Sequence, residues 1–491
     1  MPCSATKLEE ARAYERREGS AIPAQDRPAF HLTPWVGWMN DPNGFCYYQG
    51  AYHMFYQYYP YDTVWGPMHW GHAVSTDLLH WEHRPCAMAP DTDADEKGCF
   101  SGTATPTPDG RLLLLYTGVQ DDGKGGTKQL QCLAEGDGTD FVKDAANPVI
   151  GESLLPEGAS CVDFRDPKIW YEDGVYHCVV STRDDREQGR ILLYESPDAR
   201  RWTYRTTLDV CRNEYGKMWE CPDFFALDDR QLLLVSPQEM EGTPDGEFHA
   251  GFGTVALLGR YDKERAAFTR ESVQPIDYGT DFYAPQTTLT PDGRRVMVAW
   301  MQNWATVNEA PRNHRWFNCM TMARELFIRD GRLCQRPVRE IEAMWKNTVH
   351  RKETLDGSTT SYAGVAGRRL DLTIRLDAAA SPECRRFTLR FAQDDRHFTS
   401  VEWSSAYNEL VFDRSCCGSR RDIPHQRRIK AAPQNGALTL RLVLDGDCAE
   451  LFVNEGERTI SALLDTPADA QGISLHSEGA AVLELTSHEL A

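Results

Sequence analysis

The stretch WMNDPNGFCYYQGAYHMFYQYY, residues 38–59, contains the pattern that decides the fold. Asp41 stands just before a short apolar run, and after a turn a second apolar run follows at residues 51–59. The same order recurs around Asp166 in FRDPKIWY (164–171) and Glu220 in MWECPDFF (218–225). Short aromatic and aliphatic runs separated by Gly, Asp and Pro are typical of strands joined by tight turns. The sequence therefore predicts repeated strand pairs, each with an acid at its start.

The length of the repeat indicates the architecture. Equivalent positions in the second runs are separated by 60, 64, 56 and 64 residues: Tyr52, Leu112, Tyr176, Leu232 and Val296. A second marker between them places an acid four residues before an aromatic: Asp77 and Trp81, Asp137 and Phe141, Asp198 and Trp202. Repeats of this length are typical of propellers and solenoids. Five repeats of about four strands fit a five-bladed β-propeller; a β-sandwich with accidental spacing is the alternative.

Propeller geometry predicts where the acids point. The innermost strand of each blade runs along the central channel, so a residue at its start faces the funnel at one end. Asp41, Asp166 and Glu220 are therefore expected to converge. Ser101 in CFSGT (99–103) and the stretch DFYAPQ (281–286) hold the equivalent positions of the other two repeats.

The chain of 491 residues predicts more than one domain. Residues 1–29 are charged and are expected to be a helical N-terminal extension, and residues 30–345 the propeller. Residues 346–491 alternate with period two, which indicates a β-sandwich. The fold class is thus all-β, a five-bladed β-propeller followed by a C-terminal β-sandwich, with 338–353 as a closing helix or linker. The sandwich shows no clustered acids, so we expect it to provide stability or a homodimer contact.

Charge and cysteine usage exclude several functions. A net charge of −20 and a pI near 5.2 argue against nucleic acid or an anionic membrane as partner. The sequence has no apolar run long enough to span a membrane, and its start lacks the apolar core of a secretory signal. Fifteen cysteines without a CxxC pair favour reduced thiols, and hence a cytoplasmic location.

The ordered motifs resemble those of glycoside hydrolase family 32, the invertases, sucrose-6-phosphate hydrolases and fructanases. AELFVNEGE (449–457) is similar to the C-terminal sandwich of that family. The motifs that carry the resemblance are RPAFHLTPWVGWMNDPNG (27–44), WGPMHWGHAVSTDLLHWEHRP (65–85), FSGT (100–103), FRDPK (164–168) and WECPD (219–223).

The resemblance implies a retaining hydrolase that removes a terminal β-D-fructofuranosyl unit without cofactor or metal. Asp41 would be the nucleophile, kept ionised by hydrogen bonds from Asn40 and Asn43. Glu220 would be the acid/base, with its pKa raised by apolar neighbours such as Trp219 and by the nearby Asp charges. Retention requires these two carboxyl groups to lie roughly 5–5.5 Å apart. Asp166 would bind fructose hydroxyls, and the adjacent Arg165 would shield the repulsion between the acids.

Neutral hydrogen-bonding groups and flat aromatic faces complete the expected sugar site. Trp304 is preferred to Trp300 as the aromatic of the WMQNW stretch (300–304). The expected substrate-binding residues are Trp38, Met39, Asn40, Gln57, Trp65, Phe100, Ser101, Arg165, Tyr283 and Trp304.

Several alternatives stay open at this point. A fructosyltransferase or an exo-fructanase would use the same three acids, and the substrate could be sucrose, sucrose-6-phosphate or a short fructo-oligosaccharide. A phosphate site would need basic residues at the funnel mouth, for which Lys217, Arg312 and Arg315 are candidates. An arabinanase-like enzyme would show different motifs, and a propeller that only binds sugar would lack one acid. His69 and His72 are three apart, so a strand would point them to opposite faces, and no metal site is expected.

Overall fold

The computed structural model describes residues 6–307, 315–419 and 421–491. Regular structure in these ranges is almost entirely β. The exceptions are α1 (Lys7–Gly19) and three 3₁₀ helices (Ala24–Asp26, Glu152–Leu154 and Arg339–Met344). α1 begins at a capping box in which Thr6 and Glu9 bond each other's backbone N–H groups, which satisfies donors that a helix start leaves unpaired.

The first part of the described chain forms five sheets. The first contains β1 to β4 and the short β19, the next three contain four consecutive strands each, and the last contains β17, β18, β20 and β21. The strands are β1 (Gly37–Tyr48), β2 (Ala51–Tyr59), β3 (His69–Ser75), β4 (Glu82–Met88), β5 (Gly98–Pro106), β6 (Leu112–Asp121), β7 (Thr127–Gly136), β8 (Phe141–Lys143), β9 (Arg165–Glu172), β10 (Val175–Arg183), β11 (Gly189–Ser196), β12 (Thr203–Val210), β13 (Met218–Leu227), β14 (Arg230–Gln238), β15 (Val255–Asp262), β16 (Ala267–Pro275), β17 (Tyr283–Leu289), β18 (Arg295–Trp300), β19 (Trp316–Phe317), β20 (Arg324–Arg329) and β21 (Arg332–Pro337).

These sheets close into a ring. Strands β1, β5, β9, β13 and β17 contact one another in that order, and β17 contacts β1 again. β19 pairs in parallel with β1, so the end of the ring is joined to its start by backbone hydrogen bonds. The predicted five-bladed propeller is confirmed. The repeat positions Tyr52, Leu112, Tyr176, Leu232 and Val296 all lie near the start of the second strand of a blade.

The second sequence marker closes the turn between the third and fourth strands of a blade. Asp77 accepts the backbone N–H groups of Leu79 and His80 at 3.0 and 2.8 Å. Asp137 and Asp198 accept the N–H groups two and three residues further on in the same way. A short acidic side chain that bonds the backbone two residues ahead stabilises a tight turn.

The remaining strands form two packed six-stranded sheets, which confirms the C-terminal sandwich. One contains β22, β24, β29, β30, β31 and β33, the other β23, β25, β26, β27, β28 and β32, and the core lies between them. The strands are β22 (Trp345–Asp356), β23 (Thr359–Thr360), β24 (Arg369–Asp377), β25 (Arg386–Gln393), β26 (Thr399–Ser404), β27 (Glu409–Asp413), β28 (Gln426–Lys430), β29 (Ala437–Asp445), β30 (Cys448–Val453), β31 (Arg458–Leu463), β32 (Gly472–Glu478) and β33 (Ala480–Leu490).

The segment 338–353 is only in part the expected helix or linker. Its first half is the short 3₁₀ helix, whereas β22 begins at Trp345 and pairs with β33 as a sheet edge. We propose that the propeller ends near residue 345, since the last propeller strand ends at Pro337 and the first sandwich strand follows at Trp345. Limited proteolysis tests this boundary, because a first cleavage inside a sheet rather than between residues 337 and 346 would contradict it.

A buried charged cluster joins the sandwich to the propeller. His31 bonds Asp445 and Glu450 at 2.9 Å each, and Arg324 bonds Glu450 at 2.7 Å and Asp277 at 2.9 Å. All these side chains are fully buried. Burial alone would lower the pKa of His31, but its hydrogen bonds to the two carboxylates raise the pKa to about 10. Paired buried charges of this kind need defined partners, so they hold the two domains in one relative position.

Candidate active site

Each innermost strand carries a β-bulge at the end of the channel where the acids lie. The pairing of β1 with β2 shifts between Met39 and Pro42, and the pairings of β5, β9, β13 and β17 shift at the corresponding place. Asp166, Cys221 and Ala284 lie in three of these bulges with φ of 66°, 47° and 51°. A bulge bends a strand and redirects its side chains, so these bulges turn residues of separate blades toward one region.

The bulges also show that the acids do not share one repeated position. Asp166 and Cys221 both lie in the bulge directly before a proline, whereas Glu220 lies one residue earlier, where β9 has Arg165 and β17 has Tyr283. The prediction that all three acids occupy equivalent positions of the repeat was wrong for Glu220. Successive residues of a strand point in different directions, so Glu220 approaches the site from another side than Asp166 does.

Asp41 lies at the centre of a short hydrogen-bonded group. Its Oδ2 accepts the Ser101 hydroxyl at 2.6 Å and lies 3.6 Å from the Cys221 thiol. Burial raises the pKa of Asp41; the hydrogen bond from Ser101 acts against this, the Glu220 charge adds to it, and Asn40 again lowers it. Ser101 and Asn40 therefore favour the ionised form of Asp41.

Asn43 does not support Asp41 as the sequence suggested. With its amide oxygen facing the Gln57 donors, it accepts the backbone N–H and the Nε2 of Gln57 at 3.1 and 2.9 Å. Gln57 also donates to the carbonyl of Cys99 at 3.0 Å. Asn43 is thus a fully buried support for Gln57, and Ser101 takes the role expected of Asn43.

Asp166 is bound to the strand that carries Glu220. Its Oδ2 accepts the backbone N–H of Cys221 at 3.0 Å and lies 3.9 Å from Nε of Arg165. Burial raises the pKa of Asp166 to about 7, with Arg165 lowering it and the charges of Glu220 and Asp41 raising it further. Arg165 therefore offsets part of the repulsion among the acids, as the sequence predicts.

Glu220 accepts hydrogen bonds on both oxygens. Arg165 Nε donates to Oε1 at 3.0 Å, and the Tyr283 hydroxyl and Gln238 Nε2 each donate to Oε2 at 2.6 Å. Trp219 is not the expected apolar neighbour, because it is fully buried in the core between two blades. The surroundings of Glu220 are polar and hold its carboxyl group in one orientation.

Sequence reasoning missed two residues of the site. Cys221 connects all three acids, since it follows Glu220, donates its N–H to Asp166 and places its thiol beside Asp41. Its position inside the WECPD motif was a signal that could have identified it. Gln238 reaches Glu220 from the end of β14, and no pattern in the sequence marks it.

Aromatic side chains border the acids. Trp38 stacks on Trp304 with ring centroids 6.4 Å apart, and Trp300 lies 5.0 Å from Trp304. Trp300 is fully buried and Trp304 only half-buried, which favours Trp304 as the ring that faces the pocket. Trp65 is 48% exposed and lies edge-on to Phe100 at 6.0 Å, as expected of a wall at the mouth of a sugar site.

Met39 is the one expected substrate-binding residue that lies apart. Its side chain is fully buried in a core cluster on the other face of β1. Its neighbours Trp38 and Asn40 point the opposite way, and Trp38 Nε1 donates to Asn40 Oδ1 at 2.8 Å. The alternation of side chains along a strand accounts for the separation.

The candidate phosphate-binding residues have carboxylate partners. Lys217 lies 3.2 Å from Glu239, and Arg315 lies 2.5 Å from Glu18 of α1. Arg312 lies outside the described residues. Both described candidates therefore already share their charge with a carboxylate.

His69 and His72 have separate partners. His69 bonds the Pro67 carbonyl at 2.9 Å, and His72 bonds His53 at 3.1 Å. Within residues 6–307, 315–419 and 421–491, no three His, Cys, Asp or Glu side chains are placed to hold a metal ion. The same part of the chain contains no helix of the length and apolar character needed to cross a membrane.

Comparison with known proteins covers both domains. Residues 31–337 match the glycosyl hydrolases family 32 N-terminal domain, and residues 339–490 match the glycosyl hydrolases family 32 C-terminal domain. Among curated proteins, a raffinose invertase of Escherichia coli is 39% identical over 468 residues, which cover 93% of each chain. A sucrose-6-phosphate hydrolase of Escherichia coli is 35% identical and covers 96% of each chain.

Among solved structures, a mutant β-fructofuranosidase of Bombyx mori in complex with sucrose is similar along its whole length. It is 32% identical, with a TM-score of 0.85 and 99% coverage of both chains. The likeness therefore includes the arrangement of propeller and sandwich.

Proposed function

The chain belongs to glycoside hydrolase family 32, and we propose that it is a retaining β-fructofuranosidase in which Asp41 is the nucleophile, Glu220 the acid/base and Asp166 the carboxylate that binds the fructosyl unit. One observation carries this proposal. Acids from three separate blades meet around Cys221, whose backbone and thiol contact two of them and whose preceding residue is the third. Most glycoside hydrolases use two carboxyl groups, one on each side of the glycosidic bond that is cleaved.

In the first half-reaction, an Asp41 oxygen attacks the anomeric carbon of the fructosyl unit. Glu220 gives its proton to the glycosidic oxygen as that bond breaks, so the remaining sugar leaves as a neutral alcohol. A fructosyl ester of Asp41 results. Ser101 holds the Asp41 carboxylate in place with its 2.6 Å hydrogen bond, and Tyr283 and Gln238 do the same for Glu220.

In the second half-reaction, Glu220 acts as a base. It takes a proton from water, the water oxygen attacks the anomeric carbon, and the bond to Asp41 breaks to release fructose. Glu220 is then protonated again and Asp41 ionised, so both residues return to their starting forms. Two displacements at one carbon give overall retention of configuration.

Asp166 is proposed to accept hydrogen bonds from fructose hydroxyls and to stabilise the positive charge that develops on the sugar. Replacing Asp166 with Asn should lower kcat by about 100- to 1000-fold, in the range for loss of one preorganised electrostatic group.

The raised pKa of Asp166 also predicts an effect on the stability of the fold, because the folded pKa of about 7 exceeds the ordinary value of 3.8. An acid whose pKa is raised on folding favours the folded state less as the pH rises through that window.

The stability of the wild-type protein should therefore fall between about pH 4 and about pH 7 more steeply than that of Asp166→Asn, by at least about 1 kcal/mol. Denaturant unfolding at several pH values measures this. Asp163→Asn is the matched control, since Asp163 also pairs with Arg165, at 3.2 Å, yet bonds none of the three acids. Equal pH dependence in wild type and Asp166→Asn would contradict the buried ionisable role of Asp166.

For the substrate we propose sucrose and related short fructosides rather than sucrose-6-phosphate. Lys217 and Arg315 are already paired with carboxylates, and the net charge of −20 disfavours a dianionic substrate. Initial rates on sucrose, raffinose, sucrose-6-phosphate, kestose and inulin should be compared. We expect kcat/KM for sucrose to exceed that for sucrose-6-phosphate by about tenfold or more, and inulin to react slowly. A preference for the phosphorylated sugar would contradict this assignment.

A fructosyltransferase remains the second candidate, because water and a sugar hydroxyl can attack the same fructosyl ester. Product analysis at high sucrose concentration separates the two. Free fructose should dominate if the chain is a hydrolase, and kestose-type products would favour transfer.

We also propose that the protein is cytoplasmic and forms a homodimer. The described cysteines are free thiols, most of them buried, which suits a reducing compartment. Cell fractionation and light scattering test the two points, and a secreted or strictly monomeric protein would contradict them.

A further inference from the structure

We propose that Arg421 of the sandwich is a positioning residue for Trp304, so that the C-terminal domain sets the affinity of the sugar site. This inference rests on the proposed function, in which Trp304 and Trp38 form the aromatic wall of that site. It also adds a third role to the expectation that the sandwich provides stability or a homodimer contact.

Trp304 lies in a tight turn that closes on Asn303. The backbone N–H groups of Thr306 and Val307 both donate to the Asn303 carbonyl, at 3.0 and 3.1 Å. The Asn303 side chain accepts the N–H of Ala305 at 2.8 Å. The turn is therefore internally bonded, and the direction of the indole depends on how the turn as a whole is held.

Hydrogen bonds to residues outside the turn hold both of its ends, and one of them runs from the Thr306 hydroxyl to the Thr280 carbonyl at 3.4 Å. At its start, Asn303 Nδ2 donates to the carbonyl of Thr280 in the propeller at 2.8 Å. At its end, Arg421 Nη1 donates to the carbonyl of Thr306 at 3.0 Å. Arg421 belongs to the sandwich segment between β27 and β28. The turn that carries Trp304 is thus bonded to the propeller through Thr280 and to the sandwich through Arg421.

The Arg421 anchor is itself fixed. Its Nε and Nη2 lie 3.3 and 3.1 Å from Asp465 Oδ2, just after β31. The side chain of Arg421 is only 14% exposed. A planar guanidinium held by a carboxylate presents its remaining N–H in a defined direction, which a flexible cation could not do.

A second arginine of the same segment supports the propeller anchor. Arg414 is fully buried and donates to Asp281 Oδ2 at 2.6 Å, and the same oxygen accepts the Thr280 hydroxyl at 2.9 Å. Thr280 is the residue whose carbonyl holds Asn303. Both ends of the Trp304 turn therefore depend on the sandwich, directly through Arg421 and indirectly through Arg414.

The test replaces Arg421 with Met, which keeps the aliphatic stem and removes every donor. We expect KM for sucrose to rise about five- to tenfold, in line with the net contribution of one hydrogen bond, while kcat changes less than twofold. Arg421→Lys should fall between wild type and Arg421→Met, because an ammonium group can still donate to the Thr306 carbonyl. Asp465→Asn, which keeps Arg421 but loosens it, should raise KM in the same direction by a smaller factor.

The matched control is Arg428→Met. Arg428 lies on β28 of the same sheet and pairs with Glu409 at 2.7 Å, and its side chain is 67% exposed. The same substitution there removes an ion pair of the sandwich without touching the Trp304 turn, so KM should stay at the wild-type value. The melting temperature of Arg428→Met should remain close to wild type, since a largely exposed ion pair contributes little.

A double-mutant cycle with Trp304→Ala shows whether Arg421 acts through Trp304. If it does, Arg421→Met should raise KM in the wild-type background and have no further effect in Trp304→Ala. A KM unchanged by Arg421→Met, or an equal rise in both backgrounds, would overturn the inference. If the single variant Trp304→Ala has an unchanged KM, then Trp304 does not contribute to sugar binding, and the inference about Arg421 is overturned with it. The assignment of the three carboxylates does not depend on this result.

Discussion

Replacing Asp41 with Asn should lower kcat on sucrose by about four to six orders of magnitude, in the range seen when a covalent nucleophile is removed. Asparagine has the same shape and can still accept the Ser101 hydroxyl that now bonds Asp41 at 2.6 Å. Its amide cannot form the fructosyl ester, so the first half-reaction stops. Release of glucose from sucrose measures the effect, and mass spectrometry should find a fructosyl adduct only on protein that retains Asp41.

The fold of Asp41→Asn should survive. Burial raises the pKa of Asp41, which means that its charge opposes folding at neutral pH, and removing the charge should leave the melting temperature equal or higher. Asp229→Asn is a suitable control, because Asp229 is an acid whose side chain is 81% exposed on a turn. Activity of Asp41→Asn above about 1% of wild type would contradict the assignment of the nucleophile.

Replacing Glu220 with Gln should also lower kcat on sucrose by several orders of magnitude, since no proton can reach the leaving oxygen. The amide oxygen can still accept from Tyr283 and Gln238, whereas the amide NH2 loses the hydrogen bond that Arg165 donates to Glu220. The loss in kcat/KM, which reports the first half-reaction, should be much smaller on a fructoside with an acidic leaving group, because such a group departs without protonation. The value of kcat should stay low on that substrate, because Glu220 is also the base of the second half-reaction. Steady-state rates on sucrose and on an activated fructoside provide the comparison.

Azide distinguishes the two carboxylates. In Glu220→Ala, azide can attack the fructosyl ester without a base, so it should partly restore turnover of an activated fructoside and give a fructosyl azide of retained configuration. Asp41→Ala forms no ester and should show no rescue in the retaining sense. Azide rescue of Asp41→Ala with retained configuration would contradict the assignment of Asp41 as nucleophile. Near wild-type activity of Glu220→Gln on sucrose would contradict the assignment of Glu220 as acid/base.

The repeat itself could be predicted from the sequence, because it depends on local chemistry. Apolar runs such as residues 51–59 form strands wherever turn residues bound them, and an acid such as Asp77 closes a turn by bonding backbone groups two and three residues ahead. Five repeats of this kind predicted a propeller, and period-two alternation predicted the sandwich. The motifs around Asp41, Asp166 and Glu220 identified the family for the same reason, since each is a short continuous segment.

The direction of individual side chains could not be predicted in this way. A bulge adds one residue to one strand, and the sequence does not show on which side of Asp166 or Glu220 the addition falls. For this reason Glu220 was expected at the repeat position equivalent to that of Asp166. Trp219 was expected to pack against the Glu220 carboxyl group, whereas it packs between two blades. Met39 was also expected at the sugar site, but it lies in the core on the other face of β1 because side chains alternate along a strand.

Partners that are distant in the chain were decided only by the tertiary structure. Gln238 and Tyr283 reach Glu220 from other strands, and Arg421 reaches the Trp304 turn across 115 residues of sequence. Such contacts depend on how blades and domains are placed in space, and no local period or turn signal records that placement. The amino-acid sequence by itself thus determined the strands, the repeat and the three acids. The tertiary structure decided which way the acids face, which donors hold them and that Arg421 of the sandwich bonds the Trp304 turn.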